Sequence, residues 1–225
     1  MPLSSILFEV DNNWLGVTKN TKKMINDLLI INCTGKDDTI ALKIDNKFFL
    51  KKLQTNTIKY EALSQVVLDF TQEHNIEIDQ KFSIIVNSGP GSFSGIRIAL
   101  AVSKGIQLVK KSNIYSYNSF IINAAPFLKK VETFISIIKT NNFYYYSEGN
   151  IGKDPKFTEP KKMNPSFLQK NSSLIVISKE LENDDIIKNI DEKKVCVVKF
   201  DPKNVDILIE NNLLENKLIK PLYLS

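Results

Sequence analysis

Hydrophobic periodicity runs along this chain as three strands, helix, strand, helix, strand, helix, and then starts again with a fresh pair of strands. Leu28-Leu29-Ile30-Ile31 is an unbroken apolar run of strand length, Thr39–Ile44 alternates, and Asp45-Asn46 turns the chain into Phe48-Phe49-Leu50, which together predict an antiparallel meander. Leu63, Val66, Val67 and Phe70 recur at helical spacing and predict a helix from about Ile58 to His74; Phe82–Val86 reads as a strand, Ile96–Lys110 as a helix, Ile114–Tyr117 as a strand and Ser119–Leu128 as a helix. The second round begins with Phe134–Ile138 and Phe143–Tyr146 around the turn Thr140-Asn141-Asn142. Residues 148–172 are rich in Pro, Lys and Asn and read as loop; then come Leu174–Ile177, a helix to about Ile190, a strand at Val195–Val198 and a last helix near Val205–Leu214. Strands alternating with helices in this order call for mixed sheets covered by helices, an α/β class.

The 225 residues suffice for one domain or two small ones, and a chain of this length buries roughly 70% of its unfolded surface without disulfide or metal support. With 43% hydrophobic and 24% charged residues it has globular rather than disordered composition. The expected division is an N-terminal extension at 1–23, a first subdomain at 24–130, and a second at 131–225 whose last helix and tail pack back on the first. Met24 offers a second start directly before the first strong strand.

Thirty Lys+Arg against 25 Asp+Glu leave a net charge of +5, yet Arg97 is the one arginine. Lysine is a poor residue for bidentate recognition of phosphates or bases, so the excess is read as solvated surface rather than a nucleic-acid face. No run approaches eighteen apolar residues, and the segment after Met1 lacks a basic flank, so neither a membrane span nor a secretory signal is expected and the cytoplasm is the expected compartment. Cys33 and Cys196 lie far apart in apolar runs and read as buried, reduced thiols. His74 ends a helix; one histidine and two distant cysteines make no zinc set, and no nucleophile elbow accompanies the histidine. The Phe143-Tyr144-Tyr145-Tyr146 run has rings that stack on bases, but strand alternation puts half of them on each face, which favours sheet packing.

The stretch with most chemical content is Asn87 to Arg97, where a buried strand meets a loop of Gly89, Pro90, Gly91, Ser92, Phe93, Ser94 and Gly95 and then a helix. Backbone amides at such a junction suit an anion. Neither phosphate fingerprint is met: Gly-Ile-Arg stands where a P-loop needs Gly-Lys-Ser/Thr, and the glycines are one residue out of dinucleotide spacing. A tight turn with Ser92 or Ser94 as helix cap is the other reading. The helix that follows is apolar nearly all round, through Ile96, Ile98, Ala99, Leu100, Ala101, Val102, Ile106, Leu108 and Val109. It is either central to its own domain or covered on its second side by a partner. Asn32 ends the first strand with an amide, which serves neither as base nor as carboxylate ligand, and Asp37 and Asp38 read as turn formers.

Ser88-Gly89-Pro90-Gly91-Ser92-Phe93-Ser94-Gly95-Ile96-Arg97, followed by an apolar helix with Lys104-Gly105, resembles the G-P-G-S-F-T-G-x-R segment of the TsaB (YeaZ-type) family. Leu28–Ile44 is similar to that family's opening strand and hairpin, Tyr60-Glu61 to its H-S-E motif, and Pro221-Leu222-Tyr223-Leu224 to its P-x-Y-L ending. Asn32 stands for the usual Asp, Tyr60 for His and Ser94 for Thr.

The resemblance implies an actin/sugar-kinase-like (ribonuclease H-like) fold with two related subdomains. It also implies a subunit without catalytic residues, metal or cofactor that supports threonylcarbamoyladenosine synthesis on tRNA. Its implied partners are a TsaD-type catalytic subunit and, through the complex, a TsaE-type ATPase, with homodimerisation through the same helices and only indirect contact with tRNA. The implied interface residues are Glu61, Leu63, Ser64, Val67 and Leu68 on one helix and Arg97, Ala99, Leu100, Ser103 and Lys104 on the next. Two readings compete with it: an active small kinase or ATPase of the same fold that holds phosphate through Asn32, Thr34 and the Gly89–Gly95 loop, and a stand-alone tRNA-binding module that rests on the +5 charge alone.

Overall fold

The computed structural model describes residues 27–35, 37–53, 62–140, 142–150, 155–164, 166–169, 173–188, 190–216 and 219–224. The expected extension at 1–23, Met24, the helix start at Ile58 and Glu61 lie outside these residues.

The first round consists of β1 (Leu28–Asn32), β2 (Thr39–Ile44), β3 (Lys47–Lys52), α1 (Leu63–Glu73), β4 (Ser83–Asn87), α2 (Phe93–Lys110), β5 (Asn113–Tyr117) and α3 (Ser119–Ala124), which tightens into a 3₁₀ turn at Ala125–Phe127. The second consists of β6 (Thr133–Thr140), β7 (Phe143–Asn150), β8 (Lys156–Phe157), β9 (Lys161–Lys162), α4 (Ser166–Gln169), β10 (Leu174–Ser178), α5 (Asp185–Lys188), β11 (Val195–Val198) and α6 (Asn204–Glu210). The sheets have the orders β3-β2-β1-β4-β5 and β11-β10-β6-β7-β8. In each, an antiparallel hairpin leads the sheet and the later strands add in parallel beside its first strand. One plan is therefore used twice. Parallel neighbours need crossovers, which is why helices punctuate each half.

Strand alternation assigns each face its own core. Leu29 and Ile31 of β1 and Ile84 and Val86 of β4 point to one side, under α1 and α2, with Val67, Phe70, Ile96, Ala99 and Leu100. Leu28, Ile30 and Ile85 point to the other, where α3 and α6 fill the space between the two sheets and meet Phe134 of β6 and Val176 of β10. Ile135, Ile137, Ile175 and Ile177 cover the outer face of the second sheet. With both faces covered, β1 is buried along its whole length, as a central strand with parallel pairing must be. Helix α6 is also tied to the first sheet by Lys43 Nζ, 2.6 Å from Asp206 Oδ1 and largely buried.

Several expected boundaries move. The helix expected up to Ile190 is a 3₁₀ turn at Lys179–Leu181 and the single turn α5, because Asn183-Asp184 caps and breaks the run. Residues 148–172 are not all loop: β7 continues to Asn150, and β8 and β9 pair along it. Cys33 is buried as expected, but Cys196 is only partly so, since β11 is an edge strand; both thiols are unbridged. The His74 ring lies 4.3 Å from Phe49 and edge-on to Phe70 at 5.0 Å, so it packs as an aromatic at the end of α1. Among the described residues no helix is long and apolar enough to cross a membrane.

Tyr117 ends β5 fully buried, and its hydroxyl meets no hydrogen-bond partner among the described residues. Burial, reinforced by the nearby Cys33 thiol, pushes its pKa far up. Tyr117→Phe removes a buried donor that is not repaid, so it is expected to leave stability unchanged or raise it by up to about 1 kcal/mol. Urea unfolding of the two proteins reads this directly, and a loss above about 1 kcal/mol would mean that the hydroxyl is bonded.

Candidate functional site

Strands β1 and β4 end side by side, and their last residues, Asn32 and Asn87, start the two loops that meet at the top of the first sheet. Asn87 Nδ2 donates to Asn32 Oδ1 at 2.7 Å, and its Oδ1 accepts from Gly89 N at 2.9 Å, so one buried amide ties hairpin to glycine loop. Ser119, at the start of α3, closes the group: its Oγ lies 3.2 Å from Asn87 Oδ1 and 3.0 Å from Pro90 O, and its N–H donates to Gly89 O at 2.7 Å. Asn32 is thus a satisfied structural amide, with Nδ2 donating to Asp37 O at 3.3 Å.

The glycine loop is laced to the hairpin and the tail. Gly89 sits at φ 103°, open to glycine alone at low cost, and the Gly89–Pro90 bond is cis. Ser92 N donates to Thr34 O at 2.7 Å, and Ser92 Oγ caps α2 by accepting from Gly95 N at 3.3 Å. Leu222 N, in the Pro221–Leu224 tail, donates to Ser88 O at 2.7 Å. The amides of Gly89, Ser92 and Gly95 are therefore spent inside the chain, and that of Ile96 is spent on Ser92 O. Of the two readings of this loop, the geometry favours the tight capped turn over an anion cradle.

Between the sheets lies a polar cleft of about 100 Å³ lined by Asn32, Thr34, Asp37, Asn87, Lys139 and Glu180. It is well below the roughly 300–1,000 Å³ of small-molecule sites. At its rim the hydrogen bond to Asp184 raises the Lys139 pKa, with a lesser contribution from Tyr144. Burial works against ionisation of Asp184, but its bonds to Lys139, Tyr144 and the Ile186 amide outweigh that and hold its pKa below the ordinary value. No group of three His, Cys, Asp or Glu placed to hold a metal occurs among the described residues.

Helices α1 and α2 lie together on the outer face of the first sheet and leave an open groove of about 450 Å³ between them, lined by Leu68, Ile76, Val102, Ile106 and Val109 over the buried Val67. Leu68 is 49% exposed, Val109 77% and the neighbouring Leu108 70%, a concentration of apolar surface unlike the scattered single residues of an ordinary exterior. The rim carries Ser64, Gln72 and the Glu77–Lys110 pair at 3.5 Å.

The ten interface residues expected from sequence separate cleanly. Leu63, Val67, Ala99, Leu100 and Ser103 are buried in the chain's own core; Ser103 donates to Ala99 O at 2.7 Å. Ser64 and Leu68 stand on the groove, Lys104 is exposed on α2, and Arg97 is exposed at its first turn with its guanidinium 4.3 Å from the Phe93 ring. Glu61 is outside the described residues. A surface on these helices therefore rests on Val102, Ile106 and Val109, which the all-round apolarity of α2 already marked, rather than on its Ala99–Ser103 side.

Two mixed sheets of one plan, with helices on their faces and between them, define an α/β protein of the actin-like fold. Within that class the chain is similar to proteins named TsaB and YeaZ. The chain is 29% identical over 129 residues to the tRNA threonylcarbamoyladenosine biosynthesis protein TsaB of Buchnera aphidicola subsp. Baizongia pistaciae (strain Bp), covering 54% of this chain and 58% of that relative. The match thus spans less than two thirds of the relative's length. YeaZ from Pseudomonas aeruginosa superposes with a TM-score of 0.66 at 15% identity, over 88% of this chain and all of that one. A second structure, described as similar to peptidase YeaZ from Pseudomonas aeruginosa, gives 0.66 at 13% identity over 89% and 100%. At that identity these two likenesses show the fold. No protein-family model matches the chain.

Proposed function

We propose that this chain is a TsaB/YeaZ-type scaffold subunit of the machinery that places threonylcarbamoyl on adenosine 37 of tRNAs reading ANN codons, and that it works by pairing with a TsaD-type catalytic subunit. The observation that carries this is the apolar α1/α2 groove, whose exposed Leu68 and Val109 need a protein surface over them. A non-catalytic role is supported by Asn32, an amide where the fold otherwise places a carboxylate, and by the bonding of the Gly89, Ser92 and Gly95 amides within the chain. The same reading divides the chain near residues 130 and 131, places it in the cytoplasm, and brings a TsaE-type ATPase in through the complex, with self-pairing on the same groove when the partner is missing.

Light scattering after gel filtration tests this on the chain alone and mixed with the TsaD homologue of its own organism, each at about 10 μM, where micromolar complexes persist. A one-to-one heteromer is expected. Leu68→Glu with Val109→Glu puts two carboxylates on side chains that are half and three-quarters in water, so the fold should hold while the heteromer is lost, a drop of at least tenfold in affinity. Independent elution of the unaltered proteins, with and without ATP and the ATPase, would overturn the reading.

A further inference from the structure

We propose that the opening beside the glycine loop is a stacking surface for an unpaired nucleic-acid strand. Phe93 and Tyr223 are 57% and 50% exposed, with ring centroids 5.3 Å apart and planes inclined at 31°, and the Arg97 guanidinium lies 4.3 Å from the Phe93 centroid. Both rings border an opening of about 390 Å³ whose wall also holds Thr34, Ser92, Lys139 and Thr140. Thr140 is the cross-strand partner of Phe143, which is 47% exposed and has Lys162 Nζ 3.4 Å from its ring centroid. Phe93 and Tyr223 thus border the opening beside Arg97, and Phe143 with Lys162 stands next to its wall residue Thr140.

Large rings left half in water forgo burial that other phenylalanines of this chain obtain, and what they offer is the part of their π-surface that Arg97 and Lys162 leave open. Bases stack on such faces whatever their identity, and a neighbouring guanidinium or ammonium adds cation–π attraction and neutralises phosphate. A duplex covers its base faces, so the surface suits an unpaired strand. Two ring groups, one bordering the opening and one beside it, suit a ligand with more than one base. Lys139 is already held by Asp184 at 2.8 Å, so Arg97 and Lys162 are cations that, among the described residues, lie beside the rings to meet phosphates, on a chain of net charge +5. The aromatic run at Phe143 thus acquires a role besides sheet packing through its one largely exposed member, and nucleic-acid contact becomes direct rather than only indirect. The surface lies apart from the α1/α2 groove and stands whether or not that groove binds a partner.

The test is fluorescence polarisation of labelled, unstructured strands of about 12 nucleotides, RNA and its DNA counterpart, with the full-length chain at about 50 and 200 mM salt. Binding of either strand is expected, preference for one naming the natural source, and neutralising two phosphates predicts about sevenfold weaker binding at the higher salt. Phe93→Ala with Tyr223→Ala is expected to weaken binding at least tenfold, and Phe143→Ala alone to weaken it severalfold. All three side chains are exposed, so far-UV circular dichroism should stay unchanged. No binding of either strand by about 100 μM chain at low salt, binding unmoved by both variants, or full displacement of the strand by equimolar ATP would each overturn the proposal.

Discussion

Ala99→Glu is expected to unfold the chain. Ala99 is fully buried between α2 and the first sheet, within the cluster that holds Ile96, Leu100 and Val86. A glutamate there must either bury a charge in an apolar layer or take up a proton and still force its extra volume into filled space. The cost is expected to be about 4 kcal/mol or more, enough to remove the margin of a domain at the low end of the usual range of about 5–15 kcal/mol. Ala101 is on the exposed side of the same helix, and Ala101→Glu should change stability by no more than about 0.5 kcal/mol. Urea unfolding of the pair reads the difference. A folded Ala99→Glu protein would mean that this face of α2 is outside, as the interface expected from sequence required, and the packing of α2 described above would be wrong.

Gly91→Ala carries the second large effect, for a different physical reason. An added Cβ would sit 2.2 Å from Thr34 O and 2.6 Å from Thr34 Cβ, where backbone cannot yield without moving the hairpin. The same carbonyl accepts the Ser92 amide, so relief of the clash also breaks the strap between loop and hairpin. Overpacking and one lost hydrogen bond together are expected to cost about 3 kcal/mol. Gly105, in α2, is the matched control: a Cβ there meets nothing within 4 Å, so Gly105→Ala should stabilise by about 0.5–1 kcal/mol through helix propensity. Opposite signs in the two glycine variants, measured by thermal and urea unfolding, are the expected result. A neutral Gly91→Ala would show that the loop does not lie against Thr34.

The order of elements was legible because each strand and long helix has a strong local signature. The apolar run Leu28–Ile31 had to be central, and the capped junction at Ser92 had to turn a strand into a helix. Short elements escaped: β8, β9 and α4 are two to four residues long, too short for a period to register, and they exist through pairing with β7 or packing below it. Of the residues expected at an interface, Ser64 and Leu68 stand on the groove, Val67 is buried at its floor, and Leu63, Ala99, Leu100 and Ser103 are buried in the chain's own core. Apolarity alone marks residues that leave water and does not distinguish the chain's own core from a partner.

The repetition of strands and helices, the strand-to-helix turn at Gly89–Gly95 and the amide in place of an acid at Asn32 were determined by the sequence itself, because propensity, spacing and side-chain chemistry are local properties. Which side of α2 faces the sheet was decided only in three dimensions. So were the closing of Asn32, Asn87 and Ser119 into one network and the meeting of Phe93 with Tyr223 across 130 positions of chain. Those contacts join residues far apart along the backbone, and it is the packing of two sheets about a shared helical layer that brings them within reach.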